Sequence, residues 1–219
     1  MEIIKKVLKK TFPQYANHYR AYRSLIQDKT SYLHQTGWYL SLSLGRPVDG
    51  ANAPVPWMNY PVVEFLKNRF NKEMLLFEYG SGHSTSFYAK LVKEVVSLEY
   101  DQNWLETVRP TLPSNVTLIY QSQDVAGKYC KAISSTNFLY DVVIVDGRDR
   151  VNCIIQSELH LTNRGVLILD DSHRDRYKAA FEHLSAKGFK ELTFKGLKPT
   201  GSEVDCTTVF YRTDNCLNL

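Results

Sequence analysis

Two acids bracket a glycine turn in the middle of this 219-residue chain, and two charged clusters lie further on; these residues have the types and spacing to do chemistry. Gly80 and Gly82 permit a tight turn and let a ligand lie against bare backbone. Glu78, just before them, sets a carboxylate where it suits a cationic ammonium group better than a pyrophosphate. Glu99 follows the glycines by about 17–20 residues, a spacing at which an acid accepts hydrogen bonds from ribose hydroxyls. The first cluster, Asp146-Gly147-Arg148-Asp149-Arg150, follows the apolar run Val142–Val145. The second, Asp170-Asp171-Ser172-His173-Arg174-Asp175-Arg176, follows Val166–Leu169. An acid at the end of a buried strand is a helix cap or a functional group, which makes Asp146 and Asp171 candidates. An ordinary imidazole titrates near neutrality, so His173 suits removal of a hydroxyl proton. Arg148, Arg150, Arg174 and Arg176 suit an anionic substrate, or salt bridges to Asp149 and Asp175 in the same loops.

The elements that position these residues alternate. Met74–Phe77 reads as a buried strand, Ser84–Lys93 as a helix whose first N–H groups face the turn, and the next strand ends at Glu99. Asp101 can cap a helix over Gln102–Leu112. Strands are expected at Val116–Tyr120, Tyr140–Val145 and Gly165–Leu169, with a helix over Val151–Thr162. A helix over Tyr177–Lys187 ends at Gly188, and two strands, about 189–195 and 206–212, finish the chain. This predicts an α/β fold: a seven-stranded, mostly parallel, doubly wound sheet closed by an antiparallel pair, with an N-terminal helical extension. The expected division is an extension over residues 1–70 and a Rossmann-like domain over 71–219. In the extension, Ile3, Ile4, Val7 and Leu8 alternate with Lys5, Lys6, Lys9 and Lys10. This reads as a basic helix able to lie on an anionic membrane, or as an amphipathic helix with a solvated lysine face. A second helix is expected over Tyr15–Gln27, then a Pro- and Gly-rich loop over 45–61 and a helix over Pro61–Phe70.

The pattern Glu78-Tyr79-Gly80-Ser81-Gly82 resembles motif I of the class I S-adenosylmethionine-dependent methyltransferases, and the resemblance extends over about residues 74–213. It implies S-adenosyl-L-methionine as cofactor. The turn residues Glu78, Tyr79, Gly80, Ser81, Gly82 and Ser84 would hold its methionine part, Glu99 with Tyr100 its ribose, Gln123 and Asp124 its adenine, and Asp146 would border it. It also implies a lid over the substrate from the segment before the turn, where Trp38, Trp57 and Tyr60 line a pocket or simply pin the loop to the core. Catechol O-methyltransferase and its relatives hold Mg²⁺ with an Asp in the place of Asp146 and an Asp-Asn pair in the places of Asp170 and Asp171, hard oxygen ligands suited to that ion. That family has a lysine shortly after the first acid, where this chain has Arg148-Asp149-Arg150; arginine does not serve as a base. The catalytic candidates are therefore Asp146, Asp171 and His173, with or without the metal.

Charge and composition narrow the acceptor. Lys and Arg number 27 against 23 acids, too mild an excess to argue for nucleic acid. Asp146 is not followed by the Pro-Pro-aromatic of amino-methylating nucleic-acid enzymes and no cysteine follows a proline as in cytosine C5 enzymes, which points from base methylation toward a small molecule or glycan, with an oxygen acceptor expected and ribose and protein targets left open. Four scattered cysteines read as reduced thiols in a cytoplasmic protein. No apolar run reaches the length of a membrane span or of a signal peptide. Nothing in the sequence speaks to oligomeric state. Two other classes stay open: a nicotinamide- or nucleotide-binding Rossmann oxidoreductase, against which Thr85 and the terminal strand pair argue, and a non-catalytic cofactor-binding partner protein.

Overall fold

The computed structural model describes residues 13–219. The basic segment at residues 3–10 lies outside the described residues. Four helices come first: α1 (Pro13–Gln27), α2 (Tyr32–Gln35), α3 (Trp38–Leu44) and α4 (Tyr60–Arg69). Asn59 caps α4, its Oδ1 accepting from the Val62 N–H at 3.1 Å. The alternating region follows as β1 (Leu75–Tyr79), α5 (His83–Leu91), β2 (Glu94–Glu99), α6 (Gln102–Val108), β3 (Val116–Tyr120), α7 (Lys128–Lys131), β4 (Tyr140–Val145), α8 (Arg150–Glu158), β5 (Leu161–Leu169) and α9 (Lys178–Ala186). The hairpin β6 (Lys190–Gly196) and β7 (Asp205–Tyr211) completes it.

The strand order is β3-β2-β1-β4-β5-β7-β6, with β1 to β5 parallel and β7 antiparallel to both neighbours. The expected seven-stranded, mostly parallel sheet is thus present. Its central strands are apolar on both sides because helices cover both. Phe77, Tyr79, Val143, Val145, Leu167 and Leu169 pack on one face. Leu76, Val142, Ile144, Val166 and Ile168 pack on the other, together with Val62 and Leu66 of α4. A period of two in three adjacent strands sorts the residues between the two cores. The same register brings the carboxyl ends of β1, β4 and β5 to one rim, where open α/β sheets bind ligands.

The largest boundary differences from the sequence expectation fall at two places. The helix expected over Val151–Thr162 stops at Glu158, and Leu161 already belongs to β5, paired with Tyr140. An irregularity in that pairing lets Asn163 and Arg164 turn outward before the apolar run resumes at Val166. Short apolar patches flanked by polar residues do not separate helix from strand by periodicity. The helix expected over Gln102–Leu112 ends at Val108 in a 3₁₀ turn over Arg109–Thr111. Asp101 caps it as expected, accepting from the Asn103 and Trp104 N–H groups. The four cysteines form no disulfide. No helix among the described residues is long and apolar enough to cross a membrane.

Candidate active site

The glycine turn leaves β1 at Tyr79 and enters α5 at His83. Gly80 has φ of 96°, a conformation that residues with a Cβ rarely adopt. A Cβ there would lie 3.3 Å from the Gly147 backbone, so the turn and the loop after β4 meet almost backbone to backbone. Gly147 is equally constrained: a Cβ on it would fall 2.1 Å from the Tyr129 hydroxyl oxygen and 3.1 Å from the Tyr79 carbonyl. Both glycines are thus needed for the two loops to pack against each other at the rim. Trp104 adds a wall, its Nε1 donating to the Ser81 carbonyl at 2.9 Å.

Glu78 sits beneath the turn, buried, and accepts three hydroxyl hydrogen bonds. Ser84 donates to Oε1, while Thr85 and Ser97 donate to Oε2 at 2.6 and 2.8 Å. It thus ties β1, α5 and β2 together. Burial raises its carboxyl to about 7 against the opposing hydroxyl bonds, and Asp146 adds to the rise. The folded chain binds this proton more tightly than the unfolded chain. Its stability contribution is therefore full below about pH 4.5 and is lost as pH rises through about 7. The expected result is a melting temperature that falls across this window, with a shallower fall in Glu78→Gln. Identical slopes in thermal denaturation from acid to neutral pH would remove Glu78 as the cause.

Glu99 is also buried and has four internal donors. Oε2 accepts from the Ser81 N–H at 3.0 Å and the Ser81 hydroxyl at 2.9 Å. Oε1 accepts from the Tyr100 and Asp101 N–H groups at 2.8 and 2.9 Å. The carboxylate is locked in place by three backbone groups, and only the Ser81 hydroxyl can rotate aside for a ligand hydroxyl. Arg148, from the loop after β4, lies 4.8 Å over the Tyr100 ring and donates to its hydroxyl at 2.7 Å.

The rim beyond β4 and β5 is a network of charge. Asp146, Asp170 and Asp171 lie together, with one carboxylate oxygen of each within 4.8 Å of the others. Arg150 joins them. Its guanidinium is 2.9 Å from Asp146 and 3.3 Å from Asp171, and it donates to the carbonyls of Asp146, Gly147 and Asp170. Arg174 reaches Asp171 at 2.7 Å. Lys198, from the β6–β7 loop, reaches Asp171 at 3.1 Å and Asp205 at 3.7 Å. Burial works to raise the Asp171 carboxyl, but Arg150, Lys198 and Arg174 outweigh it and hold it below the ordinary range. Burial pushes Asp170 well above that range, with Asp146 and Asp205 adding to the effect. Burial also raises Asp146, against the pull of Arg150.

This arrangement does not fit the Mg²⁺ that the sequence allowed. The three acids do converge, but their charge is already met by a guanidinium inside the cluster and an ammonium at its edge. Thr207 donates to Asp170 at 2.6 Å, occupying one of its oxygens. A divalent cation here would face Arg150 at contact distance.

The other sequence candidates separate. His173 is 45 % exposed, with Nδ1 3.8 Å from Asp205 Oδ1, so its ring faces the rim edge. The Tyr79 side chain turns into the core and donates to the Cys130 carbonyl, so only its backbone borders the turn. Asp124 accepts from the Lys128 and Tyr129 N–H groups and so caps α7, while Gln123 is exposed. The four rim arginines turn to partners other than Asp149 and Asp175: Arg148 and Arg176 pair with tyrosines, and Arg150 and Arg174 with the acidic cluster. Trp38 donates to the Gly201 carbonyl at 2.7 Å and Trp57 to the Pro199 carbonyl at 2.8 Å; both pin the β6–β7 loop. Tyr60 N–H donates to the Leu197 carbonyl at 2.8 Å. Asn59 donates to Thr207, which in turn donates to Asp170. Arg150 as the hub, Lys198 and Asp205 were not apparent in the sequence. Beside Gly82 a cavity of about 300 Å³ opens between α5 and the 46–54 loop, lined by the basic residues Arg46, His83 and Lys90.

No family model and no curated protein matches the chain. Among solved structures, a precorrin-6y C5,15-methyltransferase from Geobacter metallireducens aligns with a TM-score of 0.55 at 16% identity, covering 69% of this chain and 86% of that one. A methyltransferase-like protein from Silicibacter pomeroyi aligns at 0.51 and 24% identity, covering 72% and 89%. A Streptococcus mutans structure in complex with SAH aligns at 0.50 and 15% identity, covering 68% and 94%. The sheet order, the reversed β7 and these likenesses together give the chain the class I S-adenosylmethionine-dependent methyltransferase fold.

Proposed function

We propose that this chain, built on the methyltransferase fold, transfers a methyl group from S-adenosylmethionine to an oxygen of a small molecule or glycan. The observation that carries the reading is the glycine turn held between two buried carboxylates, Glu78 below it and Glu99 beside it. The residues present fit the cofactor: a tight glycine turn at Gly80 and Gly82, an acid under the turn, and an acid beside it with one hydrogen bond, from the Ser81 hydroxyl, that a ligand hydroxyl can replace. When bound, S-adenosylmethionine supplies an electrophilic methyl group on a sulfonium centre.

The residues of the chain do the rest. Glu78 balances positive charge above β1. A cation there favours its ionised form, so binding strengthens as pH rises through its titration. Glu99 fixes the ribose, and Tyr100 with Arg148 forms the adjoining wall. At the other side of the rim the half-exposed His173 ring lies near Asp205, 3.8 Å from its carboxylate. His173 takes the hydroxyl proton as the oxygen becomes nucleophilic. Arg150 and Lys198 keep the neighbouring acids compensated without a metal. The first test is calorimetry with S-adenosylmethionine, its demethylated product and NAD⁺. Binding of the first two and not the third is expected; the reverse would favour an oxidoreductase, and no binding at all by the folded chain would sink the reading.

His173→Ala is expected to lower kcat by about 100-fold, the usual worth of a positioned base, with cofactor affinity unchanged. Asp205→Asn is expected to lower it less. An unchanged kcat in His173→Ala, measured by release of demethylated cofactor with an accepted substrate, would assign the proton to another group.

A further inference from the structure

We infer that α1 is a membrane-surface arm that docks the protein on anionic lipid. The helix spans 15 residues and buries none of them. A helix of that length is marginal in water unless it packs against something. Its end is tied to the body: Ser31 donates to the Leu25 carbonyl, and the His34 ring contacts the Ile26 carbonyl, each at 2.8 Å. The remainder projects an apolar and aromatic stripe. Tyr19 is 63 % exposed, Tyr22 57 % and Leu25 47 %, and with Ile26 they share one side of the helix. Tyrosines suit the interface of a bilayer, where the ring meets acyl chains and the hydroxyl meets water.

Charge selects the occupant. α1 contains no acid, and Arg20 and Arg23 lie outside the stripe. The preceding residues add Lys5, Lys6, Lys9 and Lys10. The first 27 residues hold six lysines and arginines and one acid, whereas the remaining residues hold 21 and 22. The whole positive excess of the chain is thus concentrated in the segment that carries the exposed stripe. An interfacial helix with aromatic residues on one side and cations on the other binds anionic headgroups by both terms. This docking does not depend on the reading of the rim.

The test uses the full chain with sedimented vesicles of phosphatidylcholine alone or mixed with phosphatidylserine. Binding is expected only to the mixed vesicles and is expected to weaken with added salt. Tyr19→Ser with Tyr22→Ser is expected to lower it about tenfold or more, and replacing the four lysines by Gln about fivefold for each charge removed. Thermal unfolding and cofactor affinity, compared with the parent chain, verify that the variants fold. Absence of binding to the mixed vesicles, or binding equal in parent and variants, would overturn the proposal. So would a dimer in light scattering that is lost in the double tyrosine variant without any vesicle binding, which would give the stripe to a second copy.

Discussion

Replacing Glu99 by Ala is expected to abolish measurable binding of S-adenosylmethionine and its demethylated product, a loss of about 100-fold or more by calorimetry. The size follows from two roles in one carboxylate. It is the acceptor for ligand hydroxyls, and it is the post that holds the turn, through the Ser81 N–H and hydroxyl and the Tyr100 and Asp101 N–H groups. Alanine leaves these backbone donors without their acceptor in a buried place, at about 1–3 kcal/mol for each that water cannot reach. The melting temperature should therefore fall as well. Glu99→Gln separates the roles: it keeps an oxygen for one side only, so it should restore much of the stability and little of the affinity. Full affinity in Glu99→Ala would show that the ribose is held elsewhere.

Arg150→Met is expected to give the largest loss of stability of any single change at the rim, about 3–5 kcal/mol, or roughly 10 °C in melting temperature for a chain of this size. The Arg150 side chain is only 11 % exposed and meets two acids and three carbonyls. Removing it leaves Asp146 without its ion pair, while Lys198 and Arg174 still contact Asp171. Arg150→Lys keeps the charge without the planar fork, so it should recover part of the loss. The same variant tests the metal question. Mg²⁺ should leave the melting temperature of the parent chain unchanged and raise that of Arg150→Met, where the three acids become free to share a cation. Stabilisation of the parent by Mg²⁺, or loss of its activity in a chelator, would overturn the account of Arg150 as the resident counter-charge.

Much of this site was legible because its requirements are local. Gly80 and Gly82 stand out because a tight turn excludes side chains, and Glu78 and Glu99 because an acid is costly at the end of a buried strand. The apolar runs of β4 and β5 needed no knowledge of their neighbours. What escaped depends on which strands lie side by side. Arg150 reads as one more loop charge until β4 pairs with β5 and brings Asp171 against it. Lys198 and Asp205 reach the rim only because β7 inserts between β5 and β6. The tryptophans were ambiguous for the same reason: hydrogen bonds from Trp38 to Gly201 and from Trp57 to Pro199 cross most of the chain. The early end of α8 was missed because Leu161 alone does not reveal that it pairs with Tyr140.

The place of β7 has a consequence for how the molecule comes into being. Its predecessor β6 is an edge strand paired only with β7. As the ribosome delivers the chain in order, β6 emerges with no sheet to join, and it must wait for Asp205–Tyr211 before it can be placed. Part of the extension rests on this hairpin, Tyr60 on Leu197, Phe65 on Phe194, and Asn59 on Phe194 and Thr207. A nascent chain halted before residue 205 would carry the five parallel strands with an unfinished edge and leave these contacts of the extension incomplete.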